Sequence, residues 1–188
     1  DGLDLHGLQA VIRYHDAQTD AAQLTRAGAA SARSLGAQIA MPASFVRAQL
    51  QPEGVLIEYE EGHAMKRCLA RVMVNAAGPW ATHVARDVRP GIPVPAVDLV
   101  QGTHIVTAIP APHSIFYVEA PSDGRAVFIM PWHDGTMVGT TETLFRDEPD
   151  QVHPLPEEEQ YLLDVAAAYF PAFRGLTRAD ITSRMSGL

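Results

Sequence analysis

Apolar positions along this chain recur at two different spacings. Between residues 21 and 35, Ala21, Leu24, Ala27 and Ala32 fall at helical spacing. Asp20 stands where an N-cap acceptor belongs and Gly36 where a helix stops, so the pattern predicts a helix to about Leu35. Its many alanines imply a close approach to whatever it packs on. Before it, residues 10–14 read as a strand and 16–20 as a polar turn. From residue 37 to 76 the pattern switches to strand-like runs at 37–41, 44–50, 55–60 and 67–74, broken by Pro42, Pro52-Glu53-Gly54 and Glu61-Gly62. Breaks of that kind predict an antiparallel meander. The last run, CLARVMVN, is apolar on both faces near its end and reads as a strand entering the middle of a covered sheet.

A short helix from Trp80 to about Asp87 follows Gly78, with Pro79 at its start. The Pro/Gly cluster at 89–95 then marks a domain boundary, dividing residues 1–90 from 91–188. Beyond it the runs 97–106, 115–118, 126–130 and 136–139 predict strands. A helix runs from Pro156 to Phe170, its acidic first turn matching the helix dipole. The fold class is therefore α+β. The second half is a mixed, mostly antiparallel sheet with helices on one face, and the first half adds a helix and a β-meander. The opening at Asp1-Gly2 without Met points to processing, a tag remnant or a chosen boundary, and residues 185–188 read as the middle of an element.

Composition narrows the classes. The 188 residues are 47% hydrophobic and 19% charged, with a formal net charge of −8. That balance suits a soluble globular protein and leaves no basic stripe for nucleic acid. No apolar run approaches the ~20 residues of a membrane span, and no signal peptide opens the chain. The single cysteine, Cys68, excludes an internal disulfide framework or a cysteine zinc site and fits a reducing compartment; it reads as a small buried hydrophobe.

Three runs carry candidate chemistry. VMVNAAGPW (72–80) has the physics of a strand end packed with small residues, where Ala76, Ala77 and Gly78 let a ligand meet the backbone. A tight turn selected for packing alone has the same pattern. VQGTHIV (100–106) places His104 in a strand beside Gly102, where it is either a core histidine or a general base active near neutral pH. FIMPWHDGTMVGTTE (128–142) is a hairpin turning at HDG, and its strand end Thr140-Thr141-Glu142 either binds a polyol or phosphate or caps the next segment. His63 and His83 read as exposed, and His113 and His133 as loop residues. There is no HxH or HExxH pair for a metal and no G-x-S-x-G elbow, so no metal site and no hydrolase is expected.

The order of these runs resembles the FAD-dependent glycerol-3-phosphate dehydrogenases of the D-amino-acid-oxidase-like superfamily. The matching pieces are YHDAQTD (14–20), VNAAGPW (74–80), QGTHIV (101–106), FIMPW (128–132), GTTE (139–142) and a tail from Phe170-Pro171 to Ser186-Gly187-Leu188. NAAGPW recurs across the superfamily, while GTHIV with MPW…GTTE narrows the match. The resemblance implies oxidation of sn-glycerol 3-phosphate to dihydroxyacetone phosphate, hydride transfer to FAD, and a quinone as the next acceptor. It implies His104 as proton acceptor, Thr140 and Thr141 lining the substrate cavity, Ala76, Ala77 and Gly78 against the FAD, and Phe45 and Val46 near its adenine. Residues 1–90 then belong to the FAD-binding domain and 91–188 to the substrate domain. A cytoplasmic location is implied, with peripheral contact at the inner face of the plasma membrane open only to the full-length protein. The family's Gly-rich GxGxxG loop, an arginine just after the position of Leu188 and a later Gly-Gly-Lys segment are missing. The chain therefore reads as an interior fragment, expected alone to bind no FAD and to show no dehydrogenase activity. Alternatives are a flavoenzyme of the same superfamily acting on an amine or hydroxy acid, or a non-catalytic binding domain.

Overall fold

The computed structural model describes residues 2–94 and 96–188, and the chain forms two compact units, Val11–Ala96 and Asp1–Ala10 with Val97–Leu188. In the first unit, helix α1 (Ala21–Ser34) begins where Asp20 accepts a hydrogen bond from the Gln23 backbone N–H at 2.9 Å. None of its residues is buried, and Leu24 is 62% exposed. Strands β1 (Ala43–Gln51), β2 (Gly54–Glu61) and β3 (Ala64–Ala70) form the expected antiparallel meander. Helix α2 (Ala81–Arg86) leads into β4 (Val88–Arg89), which joins β1 in parallel. Ala48, Val55 and Val88 form a small core with Phe45, Ile57 and Met73 against it. The next residue along β2, Glu58, is cross-strand partner to both Arg47 and Arg67 and pairs with them at 2.7 and 3.0 Å.

Four expectations fail in this unit. Residues 10–14 and 37–41 form no strand. The run 67–74 pairs only as far as Ala70; Met73 packs on the meander core, while Val72 and Val74 are 73% and 82% exposed. A strand is stable only with a hydrogen-bonded neighbour, and among the described residues none lies beside 72–75. The apolar pattern there encodes a two-sided covering, and this unit supplies one side. For the same reason β3 is an edge strand and Cys68 is exposed rather than buried.

In the second unit the described residues form an antiparallel sheet of order β10-β5-β8-β7-β6, with β9 also on β5. The strands are β5 (Leu99–Thr107), β6 (Phe116–Glu119), β7 (Ala126–Trp132), β8 (Gly135–Gly139), β9 (Thr143–Phe145) and β10 (Ile181–Gly187). Helix α3 (Pro156–Tyr169) covers one face, and Leu162, Leu163 and Ala166 pack with Ile105, Val127, Ile129 and Val138. Two-residue alternation follows: Gln101, Thr103, Ile105 and Thr107 are buried, whereas Gly102 and His104 point to the other face. The N-terminal residues join this unit because the Asp4 N–H donates to the Tyr169 carbonyl at 2.7 Å and its carboxylate pairs with Arg174.

The two helices differ in what packing gives them. Leu162→Ala, at a site with 0% exposure, is expected to destabilise the chain by about 2–5 kcal/mol, while Leu24→Ala changes it by less than about 0.5 kcal/mol. Urea unfolding of both variants checks the contrast, and equal losses would contradict it.

Candidate functional site

Strand β5 is the spine of the site. His104 lies in a row of directly paired residues crossing the sheet, Tyr117, Phe128, Gly139, His104 and Met185. Directly paired residues share a face, so this row lies opposite α3. Gly139 is what lets the imidazole settle: a Cβ there would fall 2.1 Å from His104 Cδ2. The ring is half-buried, and among the described residues neither nitrogen has a hydrogen-bond partner. Burial lowers its pKa from the ordinary value, which keeps it neutral and able to accept a proton near pH 7.

The strand end beyond Gly139 divides its two threonines. The Thr140 hydroxyl lies over Gly102, where a Cβ would come within 2.6 Å of it, and donates weakly to the Thr103 carbonyl at 3.3 Å. It therefore shares the open face with His104. The Thr141 hydroxyl turns the other way: it accepts from the Thr103 N–H at 2.9 Å and donates to Glu158 at 3.1 Å. The expectation that both threonines line one cavity thus meets a geometry in which only Thr140 stands on the His104 side.

Glu158, in the first turn of α3, is the residue that sequence reasoning missed. It is 4% exposed and accepts from Gln101 (2.7 Å), Thr103 (2.6 Å), Thr141 (3.1 Å), Thr143 (2.7 Å) and the Leu155 N–H (3.1 Å). Burial raises its pKa, but the hydrogen bonds from Thr103, Thr143, Leu155 and Gln101 outweigh that and hold it below the ordinary glutamate value. In the sequence it looked like one of three acidic residues suited to a helix N-terminus. The polar side chains Gln101, Thr103, Thr141 and Thr143 on converging strands were the available signal. Arg178 and Arg184 are engaged with Glu159, and Arg125 with the Glu142 carbonyl.

In the other unit, the turn 75–78 is held by Asn75, which accepts from the Ala77 N–H at 3.2 Å and donates to the Ala81 carbonyl at 2.8 Å. Ala76 and Gly78 are exposed and Ala77 half-exposed, and a Cβ at Gly78 would meet nothing within 4 Å. Phe45 is half-buried against the meander core and Val46 is 39% exposed.

One unit thus offers a two-faced antiparallel sheet with an unbonded histidine, and the other an open small-residue turn, within an α+β chain. The chain belongs to the FAD dependent oxidoreductase family, whose model matches residues 2–188. It is 34% identical to a glycerol-3-phosphate dehydrogenase of Pseudomonas aeruginosa, over 96% of this chain and 36% of that protein. It is 29% identical to a D-erythritol 1-phosphate dehydrogenase of Brucella abortus, over 94% of this chain and 36% of that one. The glycerol-3-phosphate dehydrogenase from Bacillus halodurans, solved in complex with FAD, superposes with a TM-score of 0.64 at 26% identity, over 77% of this chain and 29% of that one. The chain thus spans about a third of the length of the curated relatives it matches.

FAD is the family's cofactor, and the residues present fit it in part. The open backbone at 76–78 can meet a flat ligand. Free helix N-terminal amides favour a diphosphate, and at α1 Asp20 occupies that position with a carboxylate.

Two pH-linked outcomes follow. The unfolded chain protonates its imidazole at higher pH than folded His104 does. Stability is therefore lost as pH falls from the ordinary imidazole pKa through the lowered one, and Glu158 adds a second loss below the ordinary carboxylate pKa. Gly139→Ala drives the His104 ring off the strand, so its pKa is expected to rise toward the ordinary value. An NMR titration of the His104 Cε1–H reads this, and a curve matching wild type would contradict it.

Proposed function

We propose that this chain carries the substrate-side half of the active site of a flavin-dependent dehydrogenase that oxidises a phosphorylated polyol, sn-glycerol 3-phosphate, to dihydroxyacetone phosphate. The observation that carries this reading is His104, half-buried, unbonded and held neutral on the face of the sheet away from α3, in a chain similar to dehydrogenases of glycerol 3-phosphate and erythritol 1-phosphate. Residues 91–188 then form the substrate domain and residues 1–90 part of the FAD-binding domain. Ala76, Ala77 and Gly78 face the cofactor, with Phe45 and Val46 toward its adenine.

In this reading His104 accepts the proton of the C2 hydroxyl as that carbon becomes a carbonyl, and a depressed pKa keeps it unprotonated at the working pH. Thr140, beside it, offers a hydroxyl that orients the substrate oxygens, while Thr141 supports the wall from behind. Bound FAD supplies the acceptor for the hydride that leaves C2. A quinone as the next acceptor, a cytoplasmic location and peripheral contact with the plasma membrane complete the proposal. Among the described residues no helix is long and apolar enough to cross a membrane.

His104→Ala in the whole flavoenzyme is expected to lower kcat/KM by about a hundredfold to ten-thousandfold and to remove the acid limb of its pH profile. Turnover within a few-fold of wild type at every pH would rule out the base. Assaying glycerol 3-phosphate beside erythritol 1-phosphate separates the two substrates. The 188-residue chain alone, with Asp20 capping the start of α1, is expected to stay colourless when mixed with FAD and dialysed; a retained flavin band would contradict this.

A further inference from the structure

We propose that Glu158 is a positioning residue of the site, its carboxylate fastening the strand that carries His104 to the strand end that carries Thr140. The inference rests on the function proposed above for those two residues. Three observations support it. First, the five donors on Glu158 come from three places: Gln101 and Thr103 on β5, Thr141 and Thr143 after β8, and the start of α3. A carboxylate is an acceptor on both oxygens, and no neutral side chain of that size takes five donors at once. Second, two of the five ties lie one residue from a group on the open face. Thr103 adjoins His104, and Thr141 adjoins Thr140. The Thr103 N–H and carbonyl also bond the Thr141 hydroxyl and N–H, closing the two strands together at that point. Third, the network extends to β10, where Ser186 lies 2.8 Å from the Thr103 hydroxyl. One buried charge thus sets the spacing of β5, β10 and the β8–β9 connection.

Glu158 never faces the substrate, because it sits on the α3 side of the sheet. Its effect reaches the chemistry as a displacement of His104 and Thr140, and displacement by about 1 Å costs on the order of a hundredfold in rate. Its neighbour Glu159 provides an internal control. It is equally buried at 3% exposure but is engaged with Arg178 and with Arg184 of β10, and makes no side-chain bond to β5 or to the β8–β9 connection.

The experiment compares Glu158→Gln, Thr143→Ala and Glu159→Gln in the whole flavoenzyme, reading kcat, KM and amide hydrogen exchange. Glu158→Gln is expected to lower kcat on the order of a hundredfold with a smaller change in KM. It should also speed exchange at Thr103 and Thr141 while Ile129 and Val138 keep their protection. Thr143→Ala, which removes one of the five donors, should give the same pattern at several-fold and remains readable if the glutamine variant does not fold. Glu159→Gln should lower stability and leave kcat unchanged. Exchange is read without substrate, so it tests the fastening even if glycerol 3-phosphate proves not to be the substrate. Wild-type exchange at Thr103 and Thr141 in both the Glu158 and Thr143 variants, or an equal loss of kcat in Glu159→Gln, would overturn the proposal.

Discussion

A buried carboxylate with five hydrogen-bond donors is the constraint on which the second unit is arranged. Removing a charge from water costs several kcal/mol unless it is paired or fully hydrogen-bonded, and Glu158 is satisfied only if β5, the β8–β9 connection and the first turn of α3 meet at one point. Four of the donors are in turn polar side chains that would be costly to bury unbonded. The packing of Leu162 and Leu163 on Ile105 and Val138 supplies most of the driving force for docking α3 on the sheet. That apolar contact tolerates sliding, whereas the carboxylate does not, so the register of helix on sheet is set by the polar network.

Strand alternation then separates support from chemistry. From Gln101 to Ile105 along β5, every second side chain faces the helix and is consumed in holding the structure, while Gly102 and His104 lie on the other side. Gly102 and Gly139 are the two positions where a side chain would collide with the open-face groups Thr140 and His104. Small residues on one face and donors on the other are the same requirement seen from two sides: a histidine held in place without a hydrogen bond of its own, leaving its nitrogens available.

Much of this organisation was legible in the sequence. Asp20 and Gly36 bracketed α1, the Pro and Gly breaks placed the meander, and HDG placed the β7–β8 turn. His104 and the Thr140-Thr141 strand end stood out because a histidine and hydroxyls inside apolar strands are chemically conspicuous. What was not legible depends on long-range pairing. β10 carries ITSRMSG, with no strand-like alternation, and exists because β5 offers it an edge. The run at 72–74 reads as a two-sided buried strand, yet Val72 and Val74 are exposed because periodicity records what a segment needs and not whether a neighbour is there. Glu158 and Glu159 are adjacent acidic residues in one helical turn, and only the fold reveals that one serves β5 and the other two arginines. The division of Thr140 from Thr141 is likewise a matter of which way a strand end twists.

On the function proposed above, substrate is handled on the face of β5 opposite α3. A crystal structure of the flavin-loaded enzyme with a non-reacting glycerol 3-phosphate analogue tests it most directly. The analogue's C2 substituent oxygen is expected within about 2.6–3.2 Å of a His104 ring nitrogen, with Thr140 beside it and Glu158 on the far side of the sheet, untouched by ligand. An analogue bound against the α3 face, or one whose oxygens lie out of hydrogen-bond reach of His104, would contradict it.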